Sequence, residues 1–122
     1  METTRKGPFK LVTVNTAPER AKRIIGRMIG NLKDRYDIEY VANCETIEQV
    51  ASTVQQYQPD ILFSASMWTQ EQARKICQIA ERERPGIKTH AIPEGLQVRD
   101  GPDAIVKHLM ENVPPILDSI TI

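Results

Sequence analysis

The stretch from Pro59 to Arg84 limits the possible folds of this chain more than any other. Ile61-Leu62-Phe63-Ser64-Ala65 is a short apolar run without strict alternation, the pattern of a strand covered on both faces. Pro59 stands just before it, where a missing N–H does least harm. The run closes on small hydroxyl residues, Ser64 and Ser66. Thr69-Gln70-Glu71-Gln72 then spells a capping box, in which the Thr69 and Gln72 side chains each satisfy a free backbone N–H. Ala73, Ile76, Cys77 and Ala80 recur at helical spacing, with Gln70, Arg74, Glu81 and Arg82 left for water. Pro85-Gly86 stops the helix, and Ile87 to Ile92 begins another strand. Strand, capped helix and strand make a βαβ unit. Such units build parallel α/β sheets whose ligand or partner edge lies at the carboxyl ends of the strands.

The remaining segments fit the same scheme. Residues 1–8, ending at Gly7-Pro8, are expected to be a disordered lead-in, and residues 9–122 a single α/β domain. Phe9 to Val14 is β-branched and alternating, a first strand. Thr16-Ala17-Pro18-Glu19 predicts a second capping box, opening a helix to about Lys33 with Ala21, Ile24, Ile25, Met28, Ile29 and Leu32 on one face. Asp37 to Ala42 reads as an edge strand and Ile47 to Tyr57 as a helix. Pro93 to Gly101 reads as a polar loop. Pro102 opens a helix to about Asn112 that Pro114-Pro115 ends, and the tail Ile116 to Ile122 is expected to be a fifth strand. Right-handed crossovers then give a three-layer sandwich on a mostly parallel five-stranded sheet, order 2-1-3-4-5.

A chain of 122 residues suits one domain. It has no apolar run of the length that spans a membrane and no signal-peptide core at its N-terminus. Cys44 and Cys77 fall outside any CxxC spacing, so free thiols and a cytoplasmic setting are expected. Net charge is zero but divided: residues 1–36 carry nine Lys/Arg against three acids, and residues 37–122 carry seven against thirteen. Such a particle can self-associate or dock on an acidic partner. Nucleic acid is a poor fit for the basic stripe Arg20, Lys22, Arg23 and Arg27, because the rest of the chain is acidic and aromatic platforms are lacking. Gly26 and Gly30 interrupt the same helix at about 1 kcal/mol each relative to Ala. They predict close backbone approach, either to the sheet or to another helix across a dimer.

By element order, and in the phrases Gln58-Pro59-Asp60-Ile61-Leu62 and Arg84-Pro85-Gly86-Ile87-Lys88, the stretch from Phe9 to Asn112 resembles the receiver domains of two-component signalling and, more broadly, the flavodoxin-like fold. That resemblance implies paired acids after the first strand to hold Mg²⁺, a phosphoacceptor Asp ending the third strand, and a Lys after the fifth strand followed by a final helix. This chain has Asn15 and Thr16 at the first place, Ala65 at the second, and neither of the last two. The resemblance therefore implies a pseudo-receiver, the fold without the phosphorylation chemistry. With the final helix missing, part of one sheet face lacks cover. A homodimer or a partner protein is expected to supply it, in contact with Arg20, Arg23, Gly26, Arg27 and Gly30.

Ligands in this class sit beyond the strand ends, which places Asn15, Thr16, Ser64, Ser66, Trp68, His90 and Glu94 as candidate ligand-binding residues. Ser64 and Ser66 could donate to a phosphate beside a helix N-terminus, or satisfy local backbone. His90 could act as a general base with Ser66 or Cys44, or be structural. Trp68 could staple the helix entry or form part of a binding surface. No glycine-rich phosphate loop is present, and neither Cys44 with His90 nor His90 with His108 has metal-ligand spacing, so no catalytic residue, cofactor or metal is expected. The expected function is a non-catalytic interaction module for signalling or assembly. The alternative is a domain or enzyme that binds a small phosphate-bearing or cofactor ligand at this edge.

Overall fold

Parallel strand pairing organises the computed structural model, which describes residues 6–120. In chain order the elements are β1 (Lys6–Val14), α1 (Pro18–Leu32), β2 (Tyr36–Cys44), a 3₁₀ turn (Ile47–Gln49) leading into α2 (Val50–Tyr57), β3 (Ile61–Ser64), α3 (Gln70–Glu83), β4 (Lys88–Ala91) and α4 (Leu96–Asp118). The described strands form one sheet of order β2-β1-β3-β4, all parallel, with Leu11 beside Ile61 and Phe63 beside His90. β2 is an edge, as its composition suggested. Among the described residues no helix is long and apolar enough to cross a membrane.

Alternation along the strands divides the core in two. On one face Phe9, Leu11, Ile61 and Phe63 pack against Ile24 and Met28 of α1 and against Ile105 and Leu109 of α4. On the other, Val12, Val14 and Leu62 meet Val50 and Val54 of α2 and Ile76 and Ala80 of α3. The capping box at α3 forms as expected: Gln72 N donates to Thr69 Oγ1 at 3.1 Å, and Thr69 N to Gln72 Oε1 at 2.9 Å.

The sheet has four described strands, and the expected fifth is replaced by helix. Residues 116–118 continue α4, and only Thr121 and Ile122 of that stretch lie outside the described residues. Ile105, Leu109, Val113 and Leu117 fall four apart and are all buried, so the apolar stripe runs straight through Pro114-Pro115. Burying two side chains such as Val113 and Leu117 contributes roughly 3–6 kcal/mol. Each interior proline costs about 3 kcal/mol, so the two effects are of similar size. The helix end is also fastened: Lys6 Nζ and Tyr36 Oη both donate to Asp118 Oδ1, at 2.8 and 2.9 Å.

The loop expected over 93–101 is shorter, because helix resumes at Leu96. It breaks once, at Gly101 (φ 83°, ψ −178°), a conformation that needs glycine, and Pro102 restarts it. β1 begins at Lys6, inside the expected lead-in; residues 1–5 of that lead-in lie outside the described residues.

Packing within the chain bears on two further expectations. α4 lies beside α1 over the same sheet face, so the chain itself covers the face expected to need a partner. The final helix is therefore not missing; α4 fills that place directly after β4. Gly26 and Gly30 face outward, and a Cβ on either would meet no atom within 4 Å. They are not sites of close approach within the chain.

Candidate functional site at the carboxyl edge of the sheet

The β1–α1 turn is built around Asn15. Its Oδ1 accepts from Ala17 N at 2.7 Å, its N–H donates to Cys44 O at 2.8 Å, and its carbonyl accepts from Asn43 Nδ2 at 3.0 Å. Asn15 thus supplies the cap-like contact expected of Thr16, and the N-cap residue, Ala17, has no side-chain bond of its own. An Asx turn with Pro18 in the first helical turn makes the predicted Thr16 box unnecessary. Thr16 instead donates from N and Oγ1 to the Met67 thioether, at 3.2 and 3.1 Å.

At the end of β3 the two serines part. Ser64 is fully buried, and its hydroxyl has no hydrogen-bond partner among the described residues. Ser66 accepts from Gln97 N at 3.3 Å, and its carbonyl accepts from Gly95 N at 2.9 Å, which ties the β3–α3 loop to the start of α4. Trp68 leans back across the strand ends, donating from Nε1 to Val14 O at 2.8 Å and packing on the α2/α3 core.

Between β1, β3, α1 and α4 these loops leave a cleft. Thr13, Asn15, Arg20, Ser66 and Gln97 are its polar lining; Ile24, Phe63, Ile105 and Leu109 are among its apolar walls. It leaves about 30 Å³ for the centres of water-sized molecules. That is room for roughly two waters, and far less than a nucleotide or flavin needs. A separate open groove between α3 and the end of β4, about 590 Å³, is lined by Trp68, Arg74, Cys77 and Glu94.

The seven candidate ligand residues therefore do not converge. Asn15 and Ser66 share the cleft, Trp68 and Glu94 border the groove, Thr16 is exposed, Ser64 is buried, and His90 lines neither space. His90 turns instead to α4, where its Nε2 lies 2.8 Å from His108 Nε2. Among the described residues the Ser66 hydroxyl is bonded to Gln97 N and to no base. Cys44 is buried, and burial pushes its thiol up, away from the thiolate a nucleophile needs. Among the described residues no group of three or more His, Cys, Asp or Glu is placed to hold a metal ion.

Of the basic residues on α1, Arg20 turns into the cleft and Arg27 pairs with Asp103 of α4 at 2.9 Å. Lys22 and Arg23 stay exposed beside Gly26 and Gly30. Sequence reasoning missed Gln97, which it placed in a loop, and weighed His108 with His90 only as a metal pair, not as a direct contact across 18 residues.

No protein-family profile and no curated protein sequence matches the chain. Among solved structures it is similar to the signal receiver domain of the response regulator NarL from Mycobacterium tuberculosis. The TM-score is 0.52 at 8% sequence identity, covering 94% of this chain and 100% of that one. The likeness is one of fold: an α/β receiver-like architecture on a parallel sheet.

Proposed function

We propose that this chain is a non-catalytic interaction module, a pseudo-receiver that works by docking rather than by accepting a phosphoryl group. The observation that carries this reading is how the polar side chains at the carboxyl edge are spent. Asn15 and Ser66 hold backbone, Thr16 holds a thioether, and Ala65 stands where the resemblance calls for an acceptor carboxylate. A divalent hard cation needs several carboxylate or carbonyl oxygens converging on one point, and those side chains offer no carboxylate. The test is incubation with acetyl phosphate and Mg²⁺, read by intact mass. An unmodified mass is expected; stoichiometric addition of a phosphoryl group overturns the reading.

The docking surface in this proposal is the outer face of α1, where exposed Lys22 and Arg23 flank two glycines with open space above them. The occupant is a second copy presenting Asp37, Glu39, Glu45 and Glu48, from a stretch with no Lys or Arg whose fifth acid, Asp60, is engaged by Arg84. Sedimentation velocity over a wide concentration range tests this. A dimer that weakens with salt and is lost in Lys22→Glu/Arg23→Glu supports it. A monomer at every concentration overturns it.

A further inference from the structure

One cluster of titratable side chains has no part in the docking proposal: His90 on β4 and His108 on α4. Their Nε2 atoms are 2.8 Å apart and their ring centres 5.0 Å, with 28° between the ring planes. Those two distances leave the nitrogens pointing almost straight at each other. A metal ion cannot enter between nitrogens at that spacing, whereas one N–H···N hydrogen bond fits it.

The direction of that bond follows from Asn112. Its Nδ2 lies 2.7 Å from the His108 carbonyl oxygen, which only accepts, so the amide presents its N–H side there. The same Nδ2 lies 3.3 Å from His108 Nδ1, which makes Nδ1 the acceptor. His108 therefore carries its proton on Nε2 and donates to His90 Nε2, and His90 carries its own on Nδ1. Every nitrogen in this contact chain has a fixed role. A proton added to His90 Nε2 faces the His108 N–H, and a proton added to His108 Nδ1 faces the Asn112 N–H. Either way two donors meet and a hydrogen bond is lost.

We propose that the His90–His108 contact is a proton-sensitive joint that holds the edge strand β4 to α4, and that acid opens this corner of the fold before the rest. β4 is the place for such a joint. It is four residues long and, among the described residues, pairs on one side only, with β3. The His90 ring also stands edge-on to Phe63 at 6.0 Å, so its displacement reaches the core.

Few other charges act on the pair. Glu111, on α4, favours the protonated form of His108; from β3 the facing residue is the apolar Phe63; from α1, Arg27 is engaged with Asp103. Lys88, the other ionisable residue of β4, lies two positions along the strand. Burial, with His108 beside it, lowers His90 to about 4, and burial also lowers His108. The sign follows from linkage. Above the ordinary histidine range both folded and unfolded chains hold His90 neutral. As pH falls from there the unfolded chain takes up the proton first. Stability therefore declines until the folded form also protonates, near 4. A depression of this size lowers the folding equilibrium constant on the order of 10²-fold across the window.

The experiment has two parts, both on the full chain. The first follows the two histidine ring signals by NMR against pH, together with amide exchange. In wild type, His90 is expected to stay neutral through the ordinary histidine range. Protection in β4 and along α4 is expected to fall before protection in β1 and β3. Ordinary titration of His90, or uniform loss of protection, overturns the proposal. The second compares urea midpoints across the same pH range with His90→Phe, which keeps an aromatic ring against Phe63 but cannot titrate. The variant is expected to lose most of the pH slope; an unchanged slope overturns the proposal. If His90→Phe fails to fold, the wild-type titration alone decides.

Discussion

The indole of Trp68 donates to the carbonyl of Val14, 54 residues earlier in the chain, at 2.8 Å. Val14 O also accepts from Ala65 N at 3.1 Å, so the end of β1 is fastened to the loop after β3 by two donors on one oxygen. Trp68→Phe keeps much of the apolar contact and removes one donor. The expected loss is about 1 kcal/mol, in line with a single neutral hydrogen bond. Urea unfolding followed by circular dichroism measures it; the expected result is a lower midpoint at unchanged m-value.

Gly26→Ala and Gly30→Ala should each stabilise the monomer, measured at concentrations too low for the proposed dimer to form. Neither new Cβ meets anything within 4 Å, and the helix gains about 1 kcal/mol per replacement. For a domain of this size that corresponds to a rise in melting temperature of roughly 4 °C each, readable by calorimetry. A fall in melting temperature shows that these glycines already contact something in solution.

Ser64 and Thr69 make a contrasting pair three and eight residues beyond Ile61. Ser64→Ala removes a buried hydroxyl that has no partner among the described residues, so stability is expected to hold or rise by up to about 1 kcal/mol. Thr69→Ala removes the capping box of α3 and is expected to cost about 1 kcal/mol. Chemical denaturation of both variants in one buffer gives the comparison, and equal effects contradict it.

Asp118 supplies a second pH dependence, at lower pH than the histidine pair. Hydrogen bonds from Lys6 and then Tyr36 hold its carboxyl below the usual carboxylate range. A depressed folded value means the stabilisation is present above the ordinary Asp range and is lost as pH falls through the folded value. Asp118→Asn is therefore expected to lower stability at neutrality and to flatten the acid limb of the stability profile. Thermal melts across that limb, run beside wild type, measure both effects.

What could be read from the sequence depended on how local its physical cause was. The α3 capping box lies within four residues, Thr69 to Gln72, and formed as expected. The order of the first four strands is the one expected from right-handed crossovers in a flavodoxin-like sheet. The tail misled because Pro114-Pro115 and the β-branched Ile116 and Ile120 outweighed a weaker sign. Leu109, Val113 and Leu117 continue a four-residue spacing that marks one helix face. Of the candidate ligand residues, Asn15 and Ser66 line one cleft, while His90 faces α4, because a strand residue points to one face or the other according to register, and its partner His108 has no local relation to it.

The unequal edges of the sheet bear on how the protein behaves when concentrated. β2 is nine residues long, while β4 has only four and carries Lys88 among them. A short, charged rim is a poor template for another chain's backbone, and natural sheets use such rims to keep strands from stacking end over end into aggregates. Growth by strand addition is therefore discouraged on the β4 side, and any sheet-extending misassembly should begin along β2.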